Sequence, residues 1–195
     1  MRKFIRTLCL DNTPTDTIII GDDFALATYN RIENPCAPSE PYKIPRSIIG
    51  ICLAGQCSFK LNLKRHEVKS PAILTLMPGQ IIENIEYSPD FEGHAIVLSK
   101  RFIDMLNIPM WQQQYIALYD KPINRIFSDY TQQVSLFLVM LRSAASDVEN
   151  PYRLQVIENL IRALFYGGIS KFHKMESDSV SYKNSIVERY IELVQ

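Results

Sequence analysis

The residues with which this sequence could do chemistry are three histidines, four cysteines and one unusually placed glutamate. His66, His94 and His173 stand far apart, each without a second histidine nearby. A metal centre wants two or more His or Cys ligands converging with a carboxylate. His66 falls in a polar turn and His173 at a helix end, so ordinary surface or structural roles are expected. Cys9, Cys36, Cys52 and Cys57 show no metal-ligand spacing. Cys52 and Cys57 flank a turn at Gly55 and could form a disulfide. Buried free thiols are the default in a chain without a secretion signal. No glycine-flanked serine marks a hydrolase elbow. Met77-Pro78-Gly79-Gln80 lacks the Gly-rich strand-to-helix context of a phosphate loop. No catalytic residue, metal ligand or cofactor is therefore expected, and the chain reads as a non-enzyme.

Glu83 shares a two-residue phase with Ile81, Ile85 and Tyr87, so it could point into a β-structured interior. A buried carboxylate is costly unless paired, which leaves a rim position or a ligand-facing acid. His94 lies in a strand with two plausible phases. Tyr29 and Arg31 sit at the end of an early strand. Glu83, Tyr87, His94, Tyr29 and Arg31 are thus the candidate ligand-binding residues.

These side chains need a scaffold, and Arg46 to Ser99 supplies it. Short apolar runs follow one another with Gly, Pro and Asn/Asp punctuation, the pattern of a small antiparallel barrel or sandwich. Phe59, Leu61 and Leu63 alternate with Ser58, Lys60 and Asn62, predicting one interior shared with Ile49, Ile51 and Leu53. Lys64 to Ser70 reads as a polar turn. Upstream, Thr17–Ile20 and Phe24–Tyr29 read as strands around Gly21-Asp22-Asp23, and the prolines of 34–45 predict an extended loop. Downstream the period becomes helical. Ser99 is an N-cap for a short helix over 100–106. Longer helices are predicted over 126–145 and 151–173, the second with Pro151 at its first position. Leu136, Val139 and Met140 widen the apolar stripe of the first, and Val156 and Leu160 that of the second. After a polar linker, 183–195 begins another amphipathic helix.

With 47% hydrophobic and 22% charged residues, the composition is that of a globular chain, not a disordered one. Lys plus Arg equals Asp plus Glu. A domain gripping phosphates on its own normally carries a basic excess, so nucleic-acid binding by these residues alone is not expected. No run approaches about 18 apolar residues, which argues against a membrane span. A cytoplasmic protein follows.

The order of elements resembles the N-terminal regulatory half of bacterial AraC-family transcription regulators. Gly50-Ile51-Cys52-Leu53-Ala54-Gly55 before Phe59-Lys60-Leu61 looks like that family's strand-glycine-strand hairpin. Leu74-Thr75-Leu76-Met77-Pro78-Gly79-Gln80 looks like its strand ending in a proline turn. Phe91 to Leu98 with Ser99-Lys100-Arg101-Phe102 looks like its last barrel strand entering the first helix. Tyr182 to Gln195 resembles the opening helix of the DNA-binding half. The resemblance implies an α+β chain: an N-terminal cupin-like antiparallel β-barrel (1–98), an antiparallel helical dimerisation subdomain (99–175), then a linker and the first helix of a DNA-binding domain (176–195). It further implies a homodimer, with Leu136, Val139, Met140, Val156 and Leu160 as interface candidates. The barrel would hold a small-molecule effector, a sugar or another metabolite. Promoter DNA would be reached only through a helix-turn-helix half beyond residue 195. A cupin-like enzyme and a pure protein-interaction module are the alternatives.

Overall fold

Apolar alternation and tight turns build two antiparallel sheets. The chain is described by a computed structural model over residues 16–30, 41–108, 118–126 and 128–169. Its strands are β1 (Asp16–Ile20), β2 (Phe24–Asn30), β3 (Tyr42–Lys43), β4 (Ser47–Ala54), β5 (Gln56–Leu61), β6 (Lys64–Lys69), β7 (Ala72–Leu76), β8 (Ile81–Tyr87), β9 (Glu92–Leu98) and β10 (Ile123–Arg125). Among the described residues, one sheet has the order β1-β2-β9-β4-β7-β10 and the other β3-β8-β5-β6. The expected barrel is thus an open pair of sheets. β4 and β5 follow each other in sequence yet belong to different sheets, because the chain turns between them at Gly55. Gly55 has φ +68°, and a Cβ there would meet Ser88 and Phe91 at 2.5–2.8 Å, so only glycine fits.

The Ser88–Phe91 turn seated on Gly55 closes one end of the pair. Gln56 N–H donates to the Ser88 hydroxyl at 2.8 Å, and Phe91 N–H to the Ser88 carbonyl at 3.0 Å. The inner layer is formed by Ala25, Ile48, Leu76 and Val97 of the first sheet against Phe59, Leu61, Val68, Ile82 and Ile85 of the second.

Three strand expectations are corrected. First, Leu63 is 87% exposed. Asn62 and Leu63 both have positive φ and make a two-residue hairpin turn, so β5 ends at Leu61 and the supposed polar turn is β6. Second, the inner phase of β4 is Ile48-Gly50-Cys52. Ile49 and Ile51 are also buried, but alternation places them on the opposite face with Ile96 and Ile73, their register partners. A strand covered on both faces hides its phase. Third, Asn84 at φ +52° inserts an extra residue opposite Phe59, between the pairs Lys60↔Glu83 and Ser58↔Glu86. Strict alternation breaks there. Ile82 and Ile85 both turn inward, while Ile81 is 43% exposed.

Two helices of the first unit lie against the other face of the six-stranded sheet. α1 (Lys100–Leu106) starts at Ser99, whose hydroxyl accepts from Phe102 N–H, and buries Phe102, Ile103 and Leu106 as expected. The Phe102 ring lies 6.2 Å from that of Phe24. Asp23, only 6% exposed, fixes this entry. It accepts from the Ser99 hydroxyl at 2.7 Å and from Arg101 Nε at 3.0 Å, and pairs with Arg101 Nη2. β10, unforeseen in sequence, then extends the sheet along β7. α2 (Ser128–Ser146) buries Val134, Leu138, Leu141 and Ala145, an i, i+4, i+7, i+11 stripe. α3 (Arg153–Leu164) continues into a π-helical turn, Phe165–Ile169, and the end expected near residue 173 lies outside the described residues.

The chain divides into two compact units, Met1–Glu158 and Asn159–Gln195. The sheets, α1 and α2 belong to the first. The linker and final helix expected over 176–195 lie outside the described residues. No described helix is long and apolar enough to cross a membrane.

Candidate functional site

A cavity of about 100 Å³ lies between the sheets. Two of its lining residues, Gly50 and Ala95, belong to a row of small side chains. Ala27, Ala95 and Gly50 sit side by side in register across β2, β9 and β4, and Leu74 of β7 completes the row. Ile48, Leu74 and Leu76 wall the cavity from the first sheet, and Phe59, Val68, Ile82 and Ile85 from the second. Phe91 closes one end, packed against Tyr87 with ring centroids 4.8 Å apart.

Few polar groups reach this space. Tyr29 enters from the end of β2 and Tyr87 from the end of β8. Cys52 and Cys57 also line it and are free. Burial pushes the Cys52 thiol up to about 11 and the Cys57 thiol to about 12. Both therefore stay protonated at neutral pH and act as small apolar groups rather than nucleophiles.

The candidate ligand residues separate. Tyr29 and Tyr87 line the cavity. Glu83 does not: it stands opposite Lys60 before the Asn84 bulge, in the outward phase of Ile81. His94 borders the cavity, but its ring is committed to the helix-covered face. Its Nδ1 lies 3.1 Å from Thr28 Oγ1, and Thr28 also accepts from Arg142 Nη1 at 3.2 Å. Arg142 Nη2 reaches Asp16 in turn. This Asp16–Arg142–Thr28–His94 chain ties β1, α2, β2 and β9 together. Burial first, and Arg142 second, hold the His94 imidazole below its ordinary value. A neutral ring accepting the Thr28 proton at Nδ1 fits that environment. Arg31 lies outside the described residues.

Sequence reasoning missed Arg142 and misplaced His66. His66 belongs to β6 and stacks on Phe59, centroids 5.7 Å apart at 20°, covering the open edge of the inner layer. The strand period of β6, with Val68 inward, was the signal that could have placed it. Among the described residues, no three His, Cys, Asp or Glu side chains gather as a metal site.

Of the interface candidates, Leu136, Val139 and Met140 are 56, 66 and 56% exposed on α2, and Val156 is exposed on α3. Leu160, in the second unit, is half-buried.

No protein-family model matches the sequence, and no curated protein does. Similar solved structures are cupin-fold proteins. KdgF from Halomonas is 11% identical, with a TM-score of 0.34 over 44% of this chain and 76% of its own. An RmlC-like cupin with a double-stranded β-helix fold from Methanocaldococcus jannaschii is 14% identical, with a TM-score of 0.33 over 50% of this chain and 88% of its own. ToxT K231A from Vibrio cholerae, an AraC-family regulator, is 11% identical, with a TM-score of 0.44 over 78% of this chain. This chain spans 58% of the ToxT chain.

Proposed function

We propose that this chain is the effector-sensing and dimerising part of an AraC-type transcription regulator. The observation that carries the reading is the cavity between the sheets, with room for one small molecule and two tyrosines on its wall. Such an interior suits recognition: an apolar chamber with a few placed polar groups. Its first sheet is the one that the helices cover, so occupancy on one face can be felt on the other through Tyr29 and Thr28, neighbours on β2. Leu136, Val139 and Met140 offer an apolar stripe for a second copy, as a two-fold interface requires. The order of elements and the zero formal charge support DNA contact through a following half, not through these residues.

Light scattering at high protein concentration tests the assembly, and the mass should be that of two chains. Replacing Leu136, Val139 and Met140 together by serine should give one chain, with the stability of the monomer changed by no more than about 1.5 kcal/mol, about 0.5 for each exposed position. A gel shift with DNA from upstream of the gene, at physiological salt, tests the division of labour. These 195 residues should not bind specifically. The polypeptide continued through the helix-turn-helix half should bind, and more weakly with the triple substitution. Salt-sensitive, sequence-specific binding by the 195 residues alone would sink the reading.

A further inference from the structure

The chemistry of the cavity wall narrows what it can take. We propose that its ligand is a small, flat, mainly apolar molecule, about the size of one aromatic ring with a single polar group, rather than a sugar. The proposal rests on the sensor reading above and deepens it.

Volume comes first. A cavity of about 100 Å³ is smaller than the apolar cavity of about 150 Å³ that takes up benzene, so one ring is its upper limit. Long acyl chains exceed it. Polarity comes second. A monosaccharide carries several hydroxyls, and each one buried without a partner costs free energy. The wall offers the Tyr29 and Tyr87 phenols and two protonated thiols, which are weak partners. The two candidates with more capacity, Glu83 and His94, point elsewhere. One polar group can be served here; a ring of hydroxyls cannot. Shape comes third. The void lies over Gly50 and Ala95, with Phe59 facing it from the second sheet and the tilted Tyr87–Phe91 pair at its end. Aromatic rings against a shallow floor of small residues favour a flat guest whose edge or face they can meet. The polar group then lies toward Tyr29 and Tyr87.

The floor supplies the test. A Cβ added at Gly50 would make ordinary contacts with Leu74 at 3.5 and 3.6 Å, so a larger side chain enters the void without striking backbone. The 195-residue chain is titrated with 4-fluorophenol and with phenol, and separately with L-arabinose and D-glucose, by ¹⁹F NMR (for the fluorinated probe), calorimetry and thermal melting. The aromatic probes should bind one per chain and raise Tm by roughly 5–10 °C at a hundredfold excess over Kd. The sugars should do neither. Gly50→Val should weaken aromatic binding at least tenfold. Ala95→Leu fills the same space from the next strand and gives the same readout if Gly50→Val fails to fold. Sugar binding that Gly50→Val or Ala95→Leu abolishes would overturn the ligand class and leave the sensor reading standing. Aromatic binding that survives both substitutions would overturn the location. No binding by any probe, together with a higher Tm in either filled variant, would mark the space as a packing void and remove both proposals.

Discussion

The two faces of the six-stranded sheet solve the same problem in opposite ways. The outer face is filled. α1 sets Phe102 against Phe24 of β2, and from α2 Arg142 joins Asp16, Thr28 and His94 in one polar chain. The inner face is apolar and incompletely filled, with a cavity over Gly50 and Ala95. Dense interiors transmit strain, whereas a void tolerates an occupant. One sheet therefore carries a face suited to receiving a molecule and a face suited to passing the consequence to a helix. The residues of β2 show this directly: Tyr29 looks inward and its neighbour Thr28 outward.

The contrast is broken most severely by removing inner-face packing. Phe59 is 2% exposed, spans the gap between the sheets and supports His66. Phe59→Ala should cost roughly 3–5 kcal/mol in urea denaturation. A loss under about 1 kcal/mol would mean that the inner layer already collapses onto its void and contributes little.

The phase of Phe59 was legible because β5 is covered on one side only: Cys57, Phe59 and Leu61 alternate with Ser58 and Lys60. β4 was not legible, since Ile48, Ile49, Ile51 and Cys52 are all apolar and both faces are covered. The cap at Ser99 could be read locally, because its partner Phe102 is three residues away. The polar chain could not. Thr28 and His94 are 66 residues apart, and Arg142 is 114 from Thr28, so no spacing rule connects them. The cavity was half legible. Tyr29 and Tyr87 could be nominated from strand ends, but a void over Gly50 and Ala95, paired across β4 and β9, appears only once register is known.

The next effect lies at the junction where the last strand enters the helices. Arg101, chiefly by hydrogen bonding, holds the Asp23 carboxyl below its ordinary value of 3.8. A depressed carboxylate contributes stability that is present above the unfolded value and lost as pH falls through the native one. Asp23→Asn should cost roughly 1–3 kcal/mol at neutral pH. It should also flatten the acid side of the stability curve below about pH 4. An unchanged acid limb would show that Asp23 does not fix α1.

The smallest effect sharpens the comparison instead of breaking it. Arg142→Met removes a half-exposed ion pair with Asp16, worth about 0.5–1 kcal/mol. It also removes the second cause of the lowered His94 value, so that imidazole should titrate closer to 6.5 yet remain below it, because burial is the larger cause. The folded chain then still loses stability as pH falls through the unfolded value, over a narrower window. NMR titration of His94 in both proteins reads this. An unmoved His94 would disconnect α2 from the sheet.

The bulge at Asn84 bears on how this strand can change its length. With Asn84 deleted, the pairs Lys60↔Glu83 and Ser58↔Glu86 could both persist, with Ile85 alone between them opposite Phe59. Ile82, Ile85 and Tyr87 would then face inward by simple alternation, and Glu83 and Glu86 outward. A one-residue gain or loss elsewhere in β8 would invert every side chain beyond it. Loss of Asn84 inverts none, so this is the position where the strand can shorten by a residue and still build the same wall.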